Sequence, residues 1–266
     1  VEALEARRRL LGDAHRDTLT TMNDLAALHW SQGQYAEAEP LYTKALEGMR
    51  RVAGADHPDT LGTMNNLALL YRTQGKPAQA ESLYNAALDG RRRVLGGEHP
   101  DTLNTMNNLA ALYFSQGQYA RAEPLFIQAL EGMRRVLGEA HPDTLRGMSN
   151  VATVYQQQGK QAQAEPLYTN ILDVQRRVLG ESHPDTLTSM SNLALTYVSQ
   201  RKYAEAEPLL LSAYQGMLQR QATIPTDNRS ALQEAGQRIV QLYQSWSKPE
   251  KAAEWMTRLQ RELVSR

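Results

Sequence analysis

The sequence repeats itself with a period of 42 residues, and this periodicity restricts the possible fold more than any other feature. Five histidines follow it without an insertion or deletion, namely His15, His57, His99, His141 and His183. Five methionines do the same, namely Met22, Met64, Met106, Met148 and Met190. A fixed period of this size indicates an array of stacked units. Each unit of such an array contacts mainly its neighbours, so we expect one continuous body built from copies.

Each unit is predicted to form two helices joined by a short turn. The apolar residues of the first stripe in the second copy recur at helical spacing; they are Leu61, Met64, Leu67, Ala68 and Tyr71. Gln74-Gly75-Lys76 interrupts that stripe. The second stripe comprises Ala80, Leu83, Tyr84, Ala87 and Leu88. Gly96 suits the position after a helix C-terminus, and the following HPDT segment suits a helix start, with proline in its first turn.

The spacing of the small and aromatic residues resembles that of the tetratricopeptide repeat (TPR). The residues that carry this resemblance are Leu67, Ala68, Tyr71, Ala80, Tyr84 and Ala87. The usual unit has about 34 residues, so we expect both helices to be longer here. The recurring words HPDTL, MNNLA and YAEAEPLY, together with the longer period, resemble the kinesin light chain type of TPR. The resemblance implies an all-α, right-handed superhelical solenoid of helix-turn-helix repeats.

The pattern also predicts how the chain is divided. Residues 13–222 correspond to five full units, and residues 1–12 match the end of a preceding, truncated unit. The motif is degenerate in residues 223–266, which we expect to form a capping pair of helices, with Lys248-Pro249-Glu250 starting the last one. Solenoids need such caps to cover an exposed end. This tail resembles the ends of bacterial TPR arrays that are fused to other domains.

Composition argues against several classes of function. The 29 basic and 29 acidic residues give a net charge of zero, so no global field attracts nucleic acid or a membrane surface. The chain has no cysteine, which excludes disulfides and thiolate catalysis and fits a cytoplasmic location. It lacks a membrane-spanning apolar run and the common catalytic and nucleotide-binding motifs. We therefore expect no enzyme activity, no cofactor and no metal.

The repeated histidines, methionines and prolines are each interpreted as structural. Equivalent residues of stacked helices lie about 8–10 Å apart, whereas zinc ligands lie about 2 Å from the metal, so the histidines cannot share one ion. We expect them to start helices and the methionines to pack in the core. The prolines lie within the second helices, where a proline removes one backbone hydrogen bond and bends the helix. They are Pro40, Pro124, Pro166 and Pro208.

A polar face lies opposite the core stripe of each first helix. Asn66 is nearly diametrically opposite Met64, and its equivalents are Asp24, Asn108, Asn150 and Asn192. An amide can both donate to and accept from an extended peptide backbone. In TPR proteins the matching face lines a concave groove. The predicted groove residues are Trp30, Asn65, Asn66, Leu69, Arg72, Asn104, Asn107, Asn108, Phe114, Arg146, Asn150, Gln156 and Asn192. The alternative is that the asparagines bond neighbouring repeats and contact no ligand.

The sequence thus favours a protein–protein interaction scaffold. It would bind an extended peptide or a partner segment in its groove, as the recognition or regulatory arm of a larger protein. Arg72 and Arg146 would meet acidic side chains, and Trp30, Leu69 and Phe114 would offer apolar contacts. The alternative is a structural spacer or a self-association module without a peptide ligand, stacking end to end through the truncated first unit. An RNA-binding solenoid is disfavoured by the zero net charge.

Overall fold

The computed structural model describes residues 2–220 and 229–264, and in these segments the chain forms thirteen helices and no strand. The helices are α1 (Glu2–Leu11), α2 (Arg16–Ser31), α3 (Tyr35–Val52), α4 (Pro58–Thr73), α5 (Pro77–Val94), α6 (Pro100–Ser115), α7 (Tyr119–Leu137), α8 (Pro142–Gln157), α9 (Gln161–Leu179), α10 (Pro184–Ser199), α11 (Tyr203–Arg220), α12 (Arg229–Ser245) and α13 (Pro249–Val264).

Consecutive helices pair into hairpins. The hairpins are α2/α3, α4/α5, α6/α7, α10/α11 and α12/α13, and α8 and α9 occupy the equivalent place in the sequence of the fourth 42-residue repeat. First helices have 16 residues and second helices 18 or 19, which confirms the expectation of long helices. The chain divides into two compact units, residues 1–147 and 148–266, and the division falls inside α8.

The core of each hairpin is built from the two predicted apolar stripes. All five repeated methionines are at most 4% exposed, so they pack in the core and are not available as a ligand surface. Ala68 on α4 and Ala80 on α5 are fully buried, as is Tyr84 beside them. Small residues at these places allow the two helix axes to approach, and the larger side chains fill the remaining space.

The histidines start the first helices, as predicted. Nδ1 of His99 accepts a hydrogen bond of 3.2 Å from the backbone N–H of Asp101, which has no partner within the helix. The same bond recurs at the other four histidines of the period, His15, His57, His141 and His183. One residue after the aspartate, the hydroxyl of Thr102 donates to the carbonyl of Gly96 at 2.8 Å and ties the preceding loop to the helix.

The turn inside each hairpin needs a left-handed residue. Gly75 has a φ of +70°, and Gly33, Gly117 and Gly159 have values of 72–75°. In the fifth hairpin Arg201 occupies this position with a φ of +61°. An L-residue with a side chain loses about 1–2 kcal/mol in this conformation. The fifth turn is therefore strained relative to the other four.

A glycine that the sequence pattern does not mark as special sets the distance between the two helices of most hairpins. A Cβ added to Gly132 on α7 would lie 2.5 Å from Cδ2 of Leu103 on α6. The same approach recurs at the pairs Gly48–Leu19, Gly90–Leu61 and Gly216–Leu187. In α9 Val174 takes the place of this glycine in the sequence. The leucine of HPDTL is buried where the opposing residue has no side chain.

We expect the Gly132→Ala variant to unfold at a lower temperature than the wild type. Alanine gains about 1 kcal/mol in helix propensity, but overpacking a buried leucine costs about 1–3 kcal/mol, so a net loss follows. Thermal unfolding followed by circular dichroism measures it. Gly97→Ala is the matched control, because no atom lies within 4 Å of its added Cβ. Equal melting temperatures for Gly132→Ala and the wild type would contradict the steric role.

Candidate binding surface

The outward faces of α2, α4 and α6 form one surface within residues 1–147, which we call the A-face. Residues one period apart lie side by side on it, because α4 contacts both α2 and α6. Two rows of predicted groove residues cross the A-face. The first row contains Asp24, Asn66 and Asn108, with Asn23, Asn65 and Asn107 beside them, and the second contains Trp30, Arg72 and Phe114.

The asparagines of the first row bond one helix to the next. Nδ2 of Asn66 donates to Oδ1 of Asn23 at 3.2 Å, and Nδ2 of Asn108 donates to Oδ1 of Asn65 at 3.1 Å. Asn108 also donates to Oδ1 of Asn104, at 3.0 Å. These amides therefore hold neighbouring repeats together, which was the alternative interpretation. The Oδ1 atoms of Asn66 and Asn108 accept no hydrogen bond from any residue that the structure describes, and both side chains are half-buried.

The second row places an arginine between two aromatic residues of neighbouring helices. All three side chains are half-buried. The Trp30 indole N–H donates to the Thr73 hydroxyl at 3.4 Å, and the Phe114 ring lies 5.3 Å from that of Tyr119. Within the described residues the guanidinium of Arg72 makes neither a hydrogen bond nor an ion pair. This row combines apolar area with one uncompensated positive charge.

The other predicted residues have varied surroundings. Leu69 is half-buried between the two rows, and Asn107 is buried. Arg146 is exposed and pairs with Asp143 at 3.0 Å, so its charge is shared with a residue of its own helix. In the unit of residues 148–266, Asn150, Gln156 and Asn192 are all half-buried.

Gln156 of the second unit has both ends of its amide bonded. Its Nε2 donates to Oγ1 of Thr196 at 2.8 Å, and its Oε1 accepts from the hydroxyl of Tyr168 at 3.0 Å. The same hydroxyl lies 3.0 Å from Oγ1 of Thr153. Gln156 occupies the position equivalent to Arg72, and both ends of its amide are hydrogen-bonded within the protein.

A ladder of glutamates on the second helices also joins neighbouring repeats, and sequence reasoning missed it. Oε2 of Glu39 on α3 accepts from Nζ of Lys76 at 2.8 Å and from Nε2 of Gln74 at 3.0 Å. Glu81 pairs with Arg121 at 2.7 Å and accepts from the hydroxyl of Tyr113. The signal was present in the sequence as five glutamates in register, Glu39, Glu81, Glu123, Glu165 and Glu207.

The same kind of contact recurs within residues 148–266, and there it lowers the pKa of the glutamates. Glu165 pairs with Lys202 at 2.7 Å, and Glu207 accepts from the hydroxyl of Tyr243 at 2.6 Å. The hydrogen bond from Lys202 lowers the pKa of Glu165, and that from Tyr243 lowers the pKa of Glu207. Burial together with Glu207 raises the pKa of Tyr243. These groups stay charged and neutral respectively near pH 7, as a structural bond requires.

A buried arginine forms a third kind of contact between repeats. Nη1 of Arg91 at the end of α5 donates to Oγ1 of Thr105 at 2.6 Å and to the carbonyl of Asp101 at 2.8 Å. Burial lowers the pKa of this guanidinium. One period away in either direction the position is occupied by Met49 and Met133, which are buried as well. Arg91 therefore has a packing role, since its hydrogen-bond partners are a threonine hydroxyl and a backbone carbonyl.

The described part of the chain contains neither a cluster of potential metal ligands nor a membrane-spanning helix. Among residues 2–220 and 229–264, no three histidines, aspartates or glutamates are grouped so that they could hold a metal ion. None of the helices in the same segments combines the length and the apolar character needed to cross a bilayer.

Comparison with known proteins identifies the repeat. The family model of the tetratricopeptide repeat matches residues 1–51, 24–93, 60–135, 101–173 and 150–219, which together cover most of the chain. No curated protein matches the chain in sequence. The fold that this family shares is typical of scaffolds, and proteins built from it generally mediate protein–protein interactions.

Solved structures with similar folds include kinesin light chain-like proteins. The nearly identical TPR-like repeats of a putative kinesin light chain from Podosopora anserina are 26% identical, with a TM-score of 0.70 over 78% of this chain and 98% of that one. BtubC (BKLC) from P. vanneervenii is 23% identical, with a TM-score of 0.71 over 88% and 91%. The apo quorum sensor NprR from B. thuringiensis is 18% identical, with a TM-score of 0.60 over 97% and 80%.

We expect Glu39→Gln to reduce stability near neutral pH and to have no effect in acid. The hydrogen bond from Lys76 lowers the pKa of Glu39 below its ordinary value of 4.5. A depressed pKa contributes stability that is complete above the unfolded-state pKa and disappears as pH falls through the folded-state pKa. Urea unfolding at a series of pH values should show a loss of up to about 1 kcal/mol at pH 7 that vanishes in acid.

Glu47→Gln is the matched control for this measurement. Glu47 lies on the same helix, is exposed, and makes no ion pair with a described residue. A pH-independent difference between Glu39→Gln and the wild type would contradict the ion-pair explanation.

Proposed function

The chain belongs to the tetratricopeptide repeat family, and we propose that its A-face binds an extended segment of a partner protein. The observation that carries this proposal is the pair of rows on α2, α4 and α6. One row offers unbonded amide oxygens at Asn66 and Asn108, and the other offers Trp30, Arg72 and Phe114. A surface that combines hydrogen-bond acceptors, aromatic area and an unpaired charge on a rigid scaffold suits peptide recognition.

The geometry of the first row suits an extended backbone. Because Asn66 and Asn108 direct their N–H groups at neighbouring helices, their Oδ1 atoms are the ones available to a ligand. Neighbouring helices are about 8–10 Å apart, and an extended peptide rises about 3.3 Å per residue. The Oδ1 atoms of successive asparagines in the first row would therefore accept from the backbone N–H of roughly every third ligand residue. In this arrangement the asparagines both join the repeats and bind the ligand.

Specificity for ligand side chains would come from the residues around the first row. Trp30, Leu69 and Phe114 would contact apolar side chains, and Asn104 would add a polar contact at the exposed side. Arg146 could meet an acidic ligand residue only by exchanging its partner Asp143. Asn150, Gln156 and Asn192 occupy the equivalent sequence positions in the unit of residues 148–266, and they stay predicted binding residues of that unit by itself.

A second candidate function, self-association, is favoured by a different surface. Valines at the ends of the second helices are exposed although they recur with the period: Val52 is 49% exposed, Val94 46% and Val136 45%. Exposed apolar residues in register can form a contact between copies. Under this alternative the chain is a spacer or assembly module, and light scattering across concentration would show a defined oligomer. We infer no enzyme activity under either function, and the cysteine-free sequence predicts a cytoplasmic location.

The proposal is tested by selecting ligands from a random-peptide display library on the wild-type protein. Replacing Asn108 or Phe114 with alanine should weaken the selected peptides by about tenfold, because a lost hydrogen bond or aromatic contact is worth about 1 kcal/mol or more. Fluorescence anisotropy with labelled peptides gives the affinities. Circular dichroism checks that each variant is folded.

Gln128→Ala is the matched control, since Gln128 is an exposed amide on α7 and does not belong to the A-face. Its affinity for the peptides should equal that of the wild type. Selected peptides that bind both A-face variants as tightly as the wild type would exclude the A-face as the binding surface.

A further inference from the structure

A carboxylate replaces the amide at the first position of the first row of the A-face. Asp24 on α2 stands where Asn66 and Asn108 stand on α4 and α6, and it is exposed. Its Oδ1 atom accepts a hydrogen bond of 3.3 Å from Nδ2 of Asn23. Asp24 makes no ion pair with any residue that the structure describes, so its negative charge is uncompensated on this surface.

The hydrogen bonds of the first row end at Asp24. Nδ2 of Asn66 donates to Oδ1 of Asn23, and Nδ2 of Asn23 donates in turn to Oδ1 of Asp24. An ionised carboxylate has no proton to donate, so Asp24 only accepts. A ligand group that meets Asp24 must therefore be a donor, and a positively charged donor forms the strongest bond there.

The local charge of the A-face changes sign between α2 and α4. Burial, together with the charge of Asp24, raises the pKa of Tyr42 to about 12, because both disfavour the phenolate. At Tyr84, the equivalent tyrosine of the next hairpin, the charge of Arg72 lowers the pKa against the effect of burial. A cationic group of a ligand is therefore repelled from the second row beside Arg72 and attracted to Asp24 in the first row.

The surface of α2 beside Asp24 suits a long aliphatic side chain. Ala27 follows Asp24 by three residues and Trp30 follows Ala27 by three, so the three residues lie along one side of the helix. Ala27 and Trp30 are half-buried, and on α4 the position of Ala27 is occupied by Leu69. The small alanine leaves space between the carboxylate and the indole that a leucine would fill.

We propose that Asp24, Ala27 and Trp30 bind a lysine side chain of the partner segment. This inference rests on the proposed function and names the chemistry of one ligand position. The ammonium group donates to the carboxylate of Asp24, and the aliphatic stem covers Ala27 and the exposed part of Trp30. An arginine fork uses both oxygens of a carboxylate, and one oxygen of Asp24 already accepts from Asn23, so the compact ammonium group matches better.

The test uses two random-peptide display libraries that differ only in a fixed central residue, lysine in one and glutamine in the other. We expect peptides selected from the lysine library to lose about fivefold in affinity when that lysine is changed to glutamine, which is the size of an exposed ion pair. Asp24→Asn should abolish this difference. The variant should remain folded, because the other four repeats carry asparagine at this position.

The salt dependence of the same peptides gives a second readout. Raising the ionic strength from about 0.01 M to about 1 M shortens the Debye length from about 30 Å to about 3 Å. The preference of the wild type for lysine over glutamine should therefore fall in high salt. In Asp24→Asn the affinities for the two peptides should stay equal at both ionic strengths, as measured by fluorescence anisotropy.

Two further variants separate the charge from the surface beside it. Ala27→Leu keeps Asp24 and reproduces Leu69 of the next helix, so it should remain folded by circular dichroism and reduce the preference for lysine about threefold by blocking the stem. Glu37→Gln is the matched control for Asp24→Asn, since Glu37 is an exposed carboxylate of the same hairpin but lies on α3. It should leave the preference unchanged.

The outcomes distinguish this inference from the proposed function. Peptides that Asn108→Ala or Phe114→Ala weakens, but that show no preference for lysine, would overturn the lysine site and leave the A-face as the binding surface. The same holds if the preference survives in Asp24→Asn or Ala27→Leu, or if arginine in place of the lysine binds more tightly. If neither library yields a binder that Asn108→Ala or Phe114→Ala weakens, both the proposed function and this inference are wrong.

Discussion

The close contact of two helices across a glycine is the constraint on which four of the five 42-residue hairpins depend. Gly90 on α5 leaves room for Leu61 on α4, and the added Cβ of an alanine would lie 2.4 Å from that leucine. This contact fixes both the distance and the register of the pair, because the leucine has only one place to enter. Once α4 is held in this register, its stripe of Met64 and Leu67 faces the core and Asn66 faces outward.

Polar contacts at three places along the helices then hold neighbouring hairpins in register. Glu39 bonds Lys76 and Gln74 near the turn of the hairpin, and Asn66 bonds Asn23 in the middle of the first helices. Arg91 bonds Thr105 near the loop that leads into the next unit. In repeat arrays the interfaces between neighbours supply much of the stability. Here the same contacts align equivalent residues into rows, and the A-face is the result.

Much of this architecture could be predicted from the sequence because it repeats. The methionine stripe indicated the buried face, and the HPDT segment indicated the start of each first helix. The glycine contact could not be predicted, since a glycine inside a helical pattern ordinarily indicates a weak helix. Its steric role is visible only when the facing leucine is in place, as Leu61 is for Gly90.

The contacts on the candidate binding surface were predicted less completely, for chemical reasons. The glutamate ladder was visible in the sequence, but its cations are not periodic, because Lys76 and Arg121 are not equivalent positions. The asparagines were recognised, yet an amide has a donor and an acceptor end, and only the geometry shows that Asn108 uses its donor end within the protein. Whether the buried hydroxyl of Tyr84 has a hydrogen-bond partner depends on which side chains face it in the fold, and the sequence does not show that.

We propose that ligands bind to the outward faces of α2, α4 and α6. The most direct measurement is nuclear magnetic resonance mapping of the protein with and without a peptide selected on it. We expect perturbed signals on these three helices, including the side-chain amides of Asn66 and Asn108. Perturbations confined to α3, α5 and α7, with those amide signals unchanged, would contradict it.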